Sequence, residues 1–158
     1  MIDRELNTTS KEMKRSKGIF LQAFHLAKLP IILSFFLTPI RFLLELAGLP
    51  DSAIFLLGLL WLSLAFSVYW GIKLHEKKRS LLLLLLSLVI FSPVSRLTVV
   101  AAWWVDTNWE IGTHYADYFE SWSAVLLNQV AYGSLVQIIP GFFLGALTLA
   151  IQRSRNSK

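Results

Sequence analysis

The sequence predicts an all-α integral membrane protein with four transmembrane helices, both termini on the cytoplasmic side, and a short external interfacial helix. Three observations carry this. First, the chain has 158 residues, of which 55% are hydrophobic and only 16% charged, with a mean hydropathy of +0.58. That leaves too little polar material to shell a soluble core. Second, the apolar residues come in blocks long enough to cross about 30 Å of hydrocarbon at about 1.5 Å per helical residue. Third, every Lys and Arg except Arg41 and Arg96 falls at the ends of these blocks or between them, and all on one side if the blocks number four.

The elements follow in order. Residues 1–25 form a basic N-terminal segment, too long and too mixed in charge for a signal-peptide n-region, with no small-residue cleavage site after the first apolar block. Its end, with Ile19, Phe20, Ala23 and Phe24, reads as an interfacial helix leading into the membrane. The transmembrane domain covers residues 26–151. Its first span, about 26–47, carries Lys28, Pro30, Pro39, Arg41 and Glu45, and its second, about 53–72, contains no charge. The third, about 81–104, opens on six leucines and contains Pro93 and Arg96. The fourth, about 124–151, is broken only by Asn128, Gln129, Gln137 and Pro140-Gly141. Residues 152–158 are a basic tail. Strands are excluded because four of them cannot close a barrel, and an open sheet leaves backbone groups unsatisfied in lipid.

Orientation comes from the cations. The N-terminal segment, the 73–79 loop and the tail are basic, whereas the turn around Asp51 and the stretch 105–122 hold carboxylates and no Lys or Arg. The positive-inside rule then makes both termini cytoplasmic, and a bacterial inner membrane is the expected location of this multi-pass chain.

The stretch WWVDTNWEIGTHYADYFESW, residues 103–122, contains the external loop, 105–122. Tyr115, Tyr118, Phe119 and Trp122 recur at i, i+3, i+4 and i+7, which predicts an amphipathic helix on the bilayer surface. With Trp104, Asp106, Trp109, Glu110, His114 and Asp117 they make an aromatic and acidic platform. Thr107-Asn-Trp-Glu110 matches a capping box. Asp106, Glu110 and His114 recur every four residues and would align as metal ligands on an unbroken helix, but Gly112 interrupts them. Interfacial anchoring is therefore expected, and no metal site.

Arg41 and Arg96 sit within spans, both roughly 9–12 Å below the external interface. A charge facing lipid costs several kcal/mol, so these residues, with Glu45, Asn128 and Gln129, are expected to form an intramembrane polar cluster. Three readings are open: an Arg41–Glu45–Arg96 network that locks the bundle or docks a partner protein, a surplus positive charge that holds a lipid phosphate or another anion, and arginines that snorkel toward the interface. Gly141 and Gly145 form a GxxxG pair suited to close helix packing, with Gly133 on the same segment.

Catalytic signatures are missing: no HExxH, no nucleophile elbow, no glycine-rich phosphate loop, no cysteine, and three histidines on separate segments. No catalytic residue, cofactor or nucleic-acid partner is expected. The expected function is a non-enzymatic small subunit or assembly factor of a larger inner-membrane complex, with the bilayer and other membrane proteins as partners. The first alternative is binding or processing of an anionic lipid or lipid-linked substrate at the outer leaflet through Arg41 and Arg96. The second is a small transporter.

Overall fold

The computed structural model describes residues 2–50, 54, 56–117, 119 and 121–156. The elements are α1 (Ile2–Leu46), α2 (Leu59–Leu74), α3 (Ser80–Trp109), the single turn α4 (His114–Asp117) and α5 (Trp122–Asn156). The described residues contain no strand. Three helices are long and apolar enough to cross a membrane: the Ser16–Leu46 part of α1, α3 and α5. With 16 residues, α2 is apolar but about 24 Å long, less than a hydrocarbon core. Pro30, Pro39, Pro93 and Pro140 all lie inside helices, an arrangement that neighbouring helices make tolerable in membranes.

The central helix is α3, with α1 against one side and α5 against the other, while α2 packs chiefly on α5. Glycines set these approaches. A Cβ added to Gly145 would stand 2.8 Å from Leu84 Cδ2 and 3.0 Å from the Ser67 carbonyl oxygen, and one added to Gly71 would stand 2.7 Å from Thr148 Cβ. Gly141 is similarly tight against Ser67 Oγ, at 2.9 Å. Small residues thus let α2, α3 and α5 meet backbone to backbone, where lipid offers no hydrophobic drive to hold them.

Buried hydroxyls are accommodated in the same economical way. Ser63, Ser67 and Ser87 each donate to a carbonyl one turn back on their own helix, so they add little polarity to the packing face. Thr38 and Thr98 bond to each other at 2.7 Å and tie α1 to α3. Trp70, Leu74, Leu84, Leu88, Phe91 and Leu149 fill the core at one end. A second cluster around Leu59, Val99, Trp103, Tyr115 and Val125 fills the other.

The basic segments converge on the first of these ends. Gly18 and Gln22 of α1 share a cavity with Lys77, Lys78 and Arg79. Arg153 donates to the carbonyls of His75 and Lys77 at 3.1 and 3.2 Å and to Ser80 Oγ at 2.6 Å.

Several elements differ from the sequence expectation. The N-terminal segment and the first span are one continuous helix rather than two elements. Thr107–Glu110 does not cap a helix start, because α3 runs on to Trp109 and ends there. Glu110 takes a left-handed conformation (φ 48°), and its N–H closes the helix on the Asp106 carbonyl. The amphipathic surface helix is reduced to the turn His114–Asp117, since Ser121 is extended (φ −147°) and N-caps α5 by accepting from the Ala124 N–H. Trp122 therefore begins α5, and Phe119 is not helical. Tyr118 lies outside the described residues. Within α5, Leu126–Tyr132 is wound as π-helix.

Candidate functional site

The site is assembled by the chain that returns from α3. Asp106, buried in the last turns of α3, accepts from the backbone N–H groups of Gly112 (2.9 Å), Thr113 (3.1 Å) and Ala116 (3.0 Å) and from the Thr113 hydroxyl (2.5 Å). Gly112 turns the chain at φ 82°, a conformation that glycine adopts without strain. The Trp103 ring N–H holds the far side of the loop by donating to the Phe119 carbonyl at 3.1 Å. The loop is therefore folded back along α3 and does not stand off into solvent.

This return sets His114 on the end of α1. Glu45 Oε1 accepts the His114 backbone N–H at 2.6 Å, and Glu45 Oε2 is bonded to ring Nδ1. With both carboxylate oxygens occupied, Nδ1 carries its proton toward Glu45 and Nε2 is left with a lone pair when the ring is neutral. Tyr115 turns inward, buried beside Phe42 with ring centres 5.8 Å apart.

Below the loop lies a cavity of about 200 Å³. Its polar lining is Arg41, Arg96, His114, Tyr115 and Gln129, and its apolar lining is Val99, Trp103, Phe119 and Val125. Arg96 Nη1 donates to Gln129 Oε1 at 3.2 Å. Three donors stay unsatisfied by protein: Nε of Arg41, Nε of Arg96 and the hydroxyl of Tyr115, all buried. Arg41 and Glu45 form no ion pair among the described residues, because Glu45 is committed to His114. Burial pushes the Tyr115 hydroxyl above the usual phenol range, with Arg41 opposing and Glu45 adding to the shift. The phenol thus stays a donor at neutral pH.

Two features of α5 make room for Arg96. A Cβ on Gly133 would lie 3.0 Å from Arg96 Nε, so only glycine leaves the guanidinium its place without displacement. The π-helical stretch, in which the Gly133 N–H reaches back to the Asn128 carbonyl, inserts an extra residue per turn at this level. Such widened turns recur at functional sites.

The sequence-predicted residues therefore separate into groups. Arg41, Arg96 and Gln129 meet in the cavity, and Glu45 reaches it through His114. Asn128 is exposed and bonds its own helix at the Ala124 carbonyl. Trp104 and Trp109 are exposed and stack edge-on at 5.4 Å, Glu110 is exposed beside them, and Trp122 packs edge-on against Trp103 at 5.0 Å. Asp117 ends the α4 turn. Asp106, Glu110 and His114 do not converge. Among the described residues no three acidic, histidine or cysteine side chains are placed to share a metal ion. Gly141 and Gly145 sit at the contact of α5 with α2 and α3.

Sequence reasoning missed the inward turn of Tyr115, the role of Gly133 and the burial of Gln137, which accepts from Ser95 Oγ at 3.3 Å. The one available signal was spacing. Gly133 and Gln137 follow Gln129 at four-residue intervals, the period of one helix face. Along the same two helices that carry the arginines runs a second, apolar cavity of about 400 Å³, lined among others by Phe35, Pro39, Phe42, Leu97 and Ala101. No protein-family profile, no curated protein and no solved structure matches this chain.

Proposed function

We propose that this is a four-span protein of a bacterial inner membrane, both termini cytoplasmic, whose Arg41–Arg96 cavity binds the phosphate group of an anionic lipid or lipid-linked substrate at the outer leaflet. One observation carries the reading. Two guanidiniums face a common cavity in the apolar part of the chain, their Nε donors unpartnered, while the nearest carboxylate is engaged elsewhere. Unbalanced buried charge is costly, and a phosphate supplies both the compensating charge and the acceptor oxygens that guanidinium donors fit. Each charge-assisted hydrogen bond contributes about 1.5–3 kcal/mol.

The topology rests on the charge pattern, supported by the convergence of the three basic segments at the end opposite the cavity. For α2, spanning draws on the apolar sequence before it or on local thinning of the bilayer. The apolar cavity beside the arginines suits an acyl or prenyl chain. A role as accessory subunit is favoured by a different observation, the exposed Trp104–Trp109 pair beside the loop, since exposed aromatics are common docking anchors.

Purification of the full chain in mild detergent, followed by mass spectrometry of bound lipid, tests the proposal. Near-stoichiometric phospholipid or prenyl phosphate on the wild type, lost from the Arg41→Gln, Arg96→Gln double variant, is expected. Displacement of that lipid by millimolar inorganic phosphate would point to a free-phosphate site. Equal lipid on both proteins, with a stoichiometric protein partner, would overturn the reading in favour of the subunit role.

A further inference from the structure

We propose that the cavity is a hydrolytic site for lipid-linked phosphoanhydrides, with His114 as general base and Glu45 as its positioning residue. The inference rests on the phosphate-binding reading above and deepens it. Three features separate this cavity from a passive anion trap.

First, the ring that lines it is a prepared base. Glu45 grips His114 twice, by the backbone N–H at 2.6 Å and by Nδ1. That fixes both the ring orientation and the tautomer, so the Nε2 lone pair is the free one. A histidine that only latched the loop would need one of these bonds.

Second, the donors suit a doubly charged group. Arg41 and Arg96 supply two positive charges, and the Tyr115 hydroxyl adds a neutral donor. The Nε groups of both arginines and the Tyr115 hydroxyl are buried and lack protein partners, so they are preorganised for oxyanion oxygens and cost no reorganisation when charge develops. About 200 Å³ is room for more than one phosphoryl group and a water, whose share of liquid volume is about 30 Å³.

Third, the lining offers a base and positive donors but no carboxyl to protonate a leaving alkoxide. A phosphoanhydride does not need that proton. Water attacks the terminal phosphorus as Nε2 of His114 takes its proton. The new P–O bond forms while the bridging P–O bond breaks, and its electron pair leaves with the lipid monophosphate as an anion. Inorganic phosphate is the second product. The His114 side chain, about a third exposed at 34%, returns the proton to solvent.

The test uses purified full-length protein and farnesyl diphosphate in detergent, with phosphate release and retention of radiolabelled probe measured on the same samples. Wild type should release phosphate. His114→Asn should lower kcat by about 100-fold or more while retention stays within about twofold. Glu45→Gln should lower kcat about tenfold at unchanged KM, whereas a purely structural Glu45 would change retention and kcat together. Wild type that retains the probe but releases no more phosphate than the Arg41→Gln, Arg96→Gln double variant would overturn the hydrolytic proposal and leave the binding site standing. Wild type that neither retains nor hydrolyses it would overturn both.

Discussion

Gly133 lies directly against Arg96: the guanidinium occupies the space its missing side chain leaves, and an added Cβ would stand 3.0 Å from Nε and 3.1 Å from Cζ. The arginine is thus held in the cavity from both sides of one helix face, by Gln129 at its tip and by Gly133 along its stem.

Gly133→Ala should therefore displace Arg96 by a few tenths of an ångström, and Gly133→Leu should evict it. The expected cost is about 1–3 kcal/mol of overpacking for leucine and less for alanine, read as lowered melting in detergent, with loss of bound anionic lipid in the same order. Unchanged lipid content in Gly133→Leu would show that Arg96 does not hold the ligand.

Tyr115→Phe separates ligand binding from packing. The ring and its contact with Phe42 remain, and an unpartnered buried hydroxyl is removed, so thermal stability of the lipid-free protein should hold or rise. Lipid retention should fall several-fold. The raised pKa of the phenol adds a pH signature, because ionisation is easier in the unfolded chain. Wild type should lose stability as pH climbs above about 10. Tyr115→Phe should lack that component in melts run across the range.

Asp106→Ala should unfasten the loop, since it strands three backbone N–H groups and a hydroxyl that share one carboxylate. An expected cost of about 1–3 kcal/mol should appear as faster proteolysis between Trp109 and Trp122, measured by mass spectrometry of the fragments. Asp106→Asn should be intermediate, because its NH₂ faces donors and cannot accept from them.

The absence of cysteine gives topology a clean background. Single cysteines replacing Glu110, Lys78 or Arg155, all exposed, should divide by side. The first should react with an impermeant thiol reagent from outside intact cells, and the other two only after lysis. Labelling of Lys78→Cys from outside would break the four-span arrangement.

How much of this was legible in the sequence depends on what signals each residue. Arg41 and Arg96 stand out because charge inside an apolar run is costly enough to demand a reason. Gly141 and Gly145 were readable by spacing, because a close approach needs small residues on one face. Glu45 and His114 are separated by 69 positions, and no periodicity links residues on different elements. Their pairing depends on how far α3 extends and where Asp106 catches the returning chain. The aromatic spacing from Tyr115 onward suggested one surface helix, yet Ser121 could equally begin the next helix, and its hydroxyl cap favours that outcome. Asn128 and Gln129 looked equivalent. Only the local winding of α5 decides which of two neighbours faces Arg96.

That winding also says how α5 would respond to a change in length. Seven residues of π-helix between two α-helical segments store slack along the axis of a helix that has no loop to absorb a lost residue. Deleting one position between Leu126 and Tyr132 should let the backbone relax to ordinary α-winding, leaving Gly141 and Gly145 in register with their neighbours. The Trp122 side should keep its facing too, because the lost residue comes out of the widened turns. The same deletion further along, between Gly141 and Gly145, has no such reserve and should unseat the whole bundle.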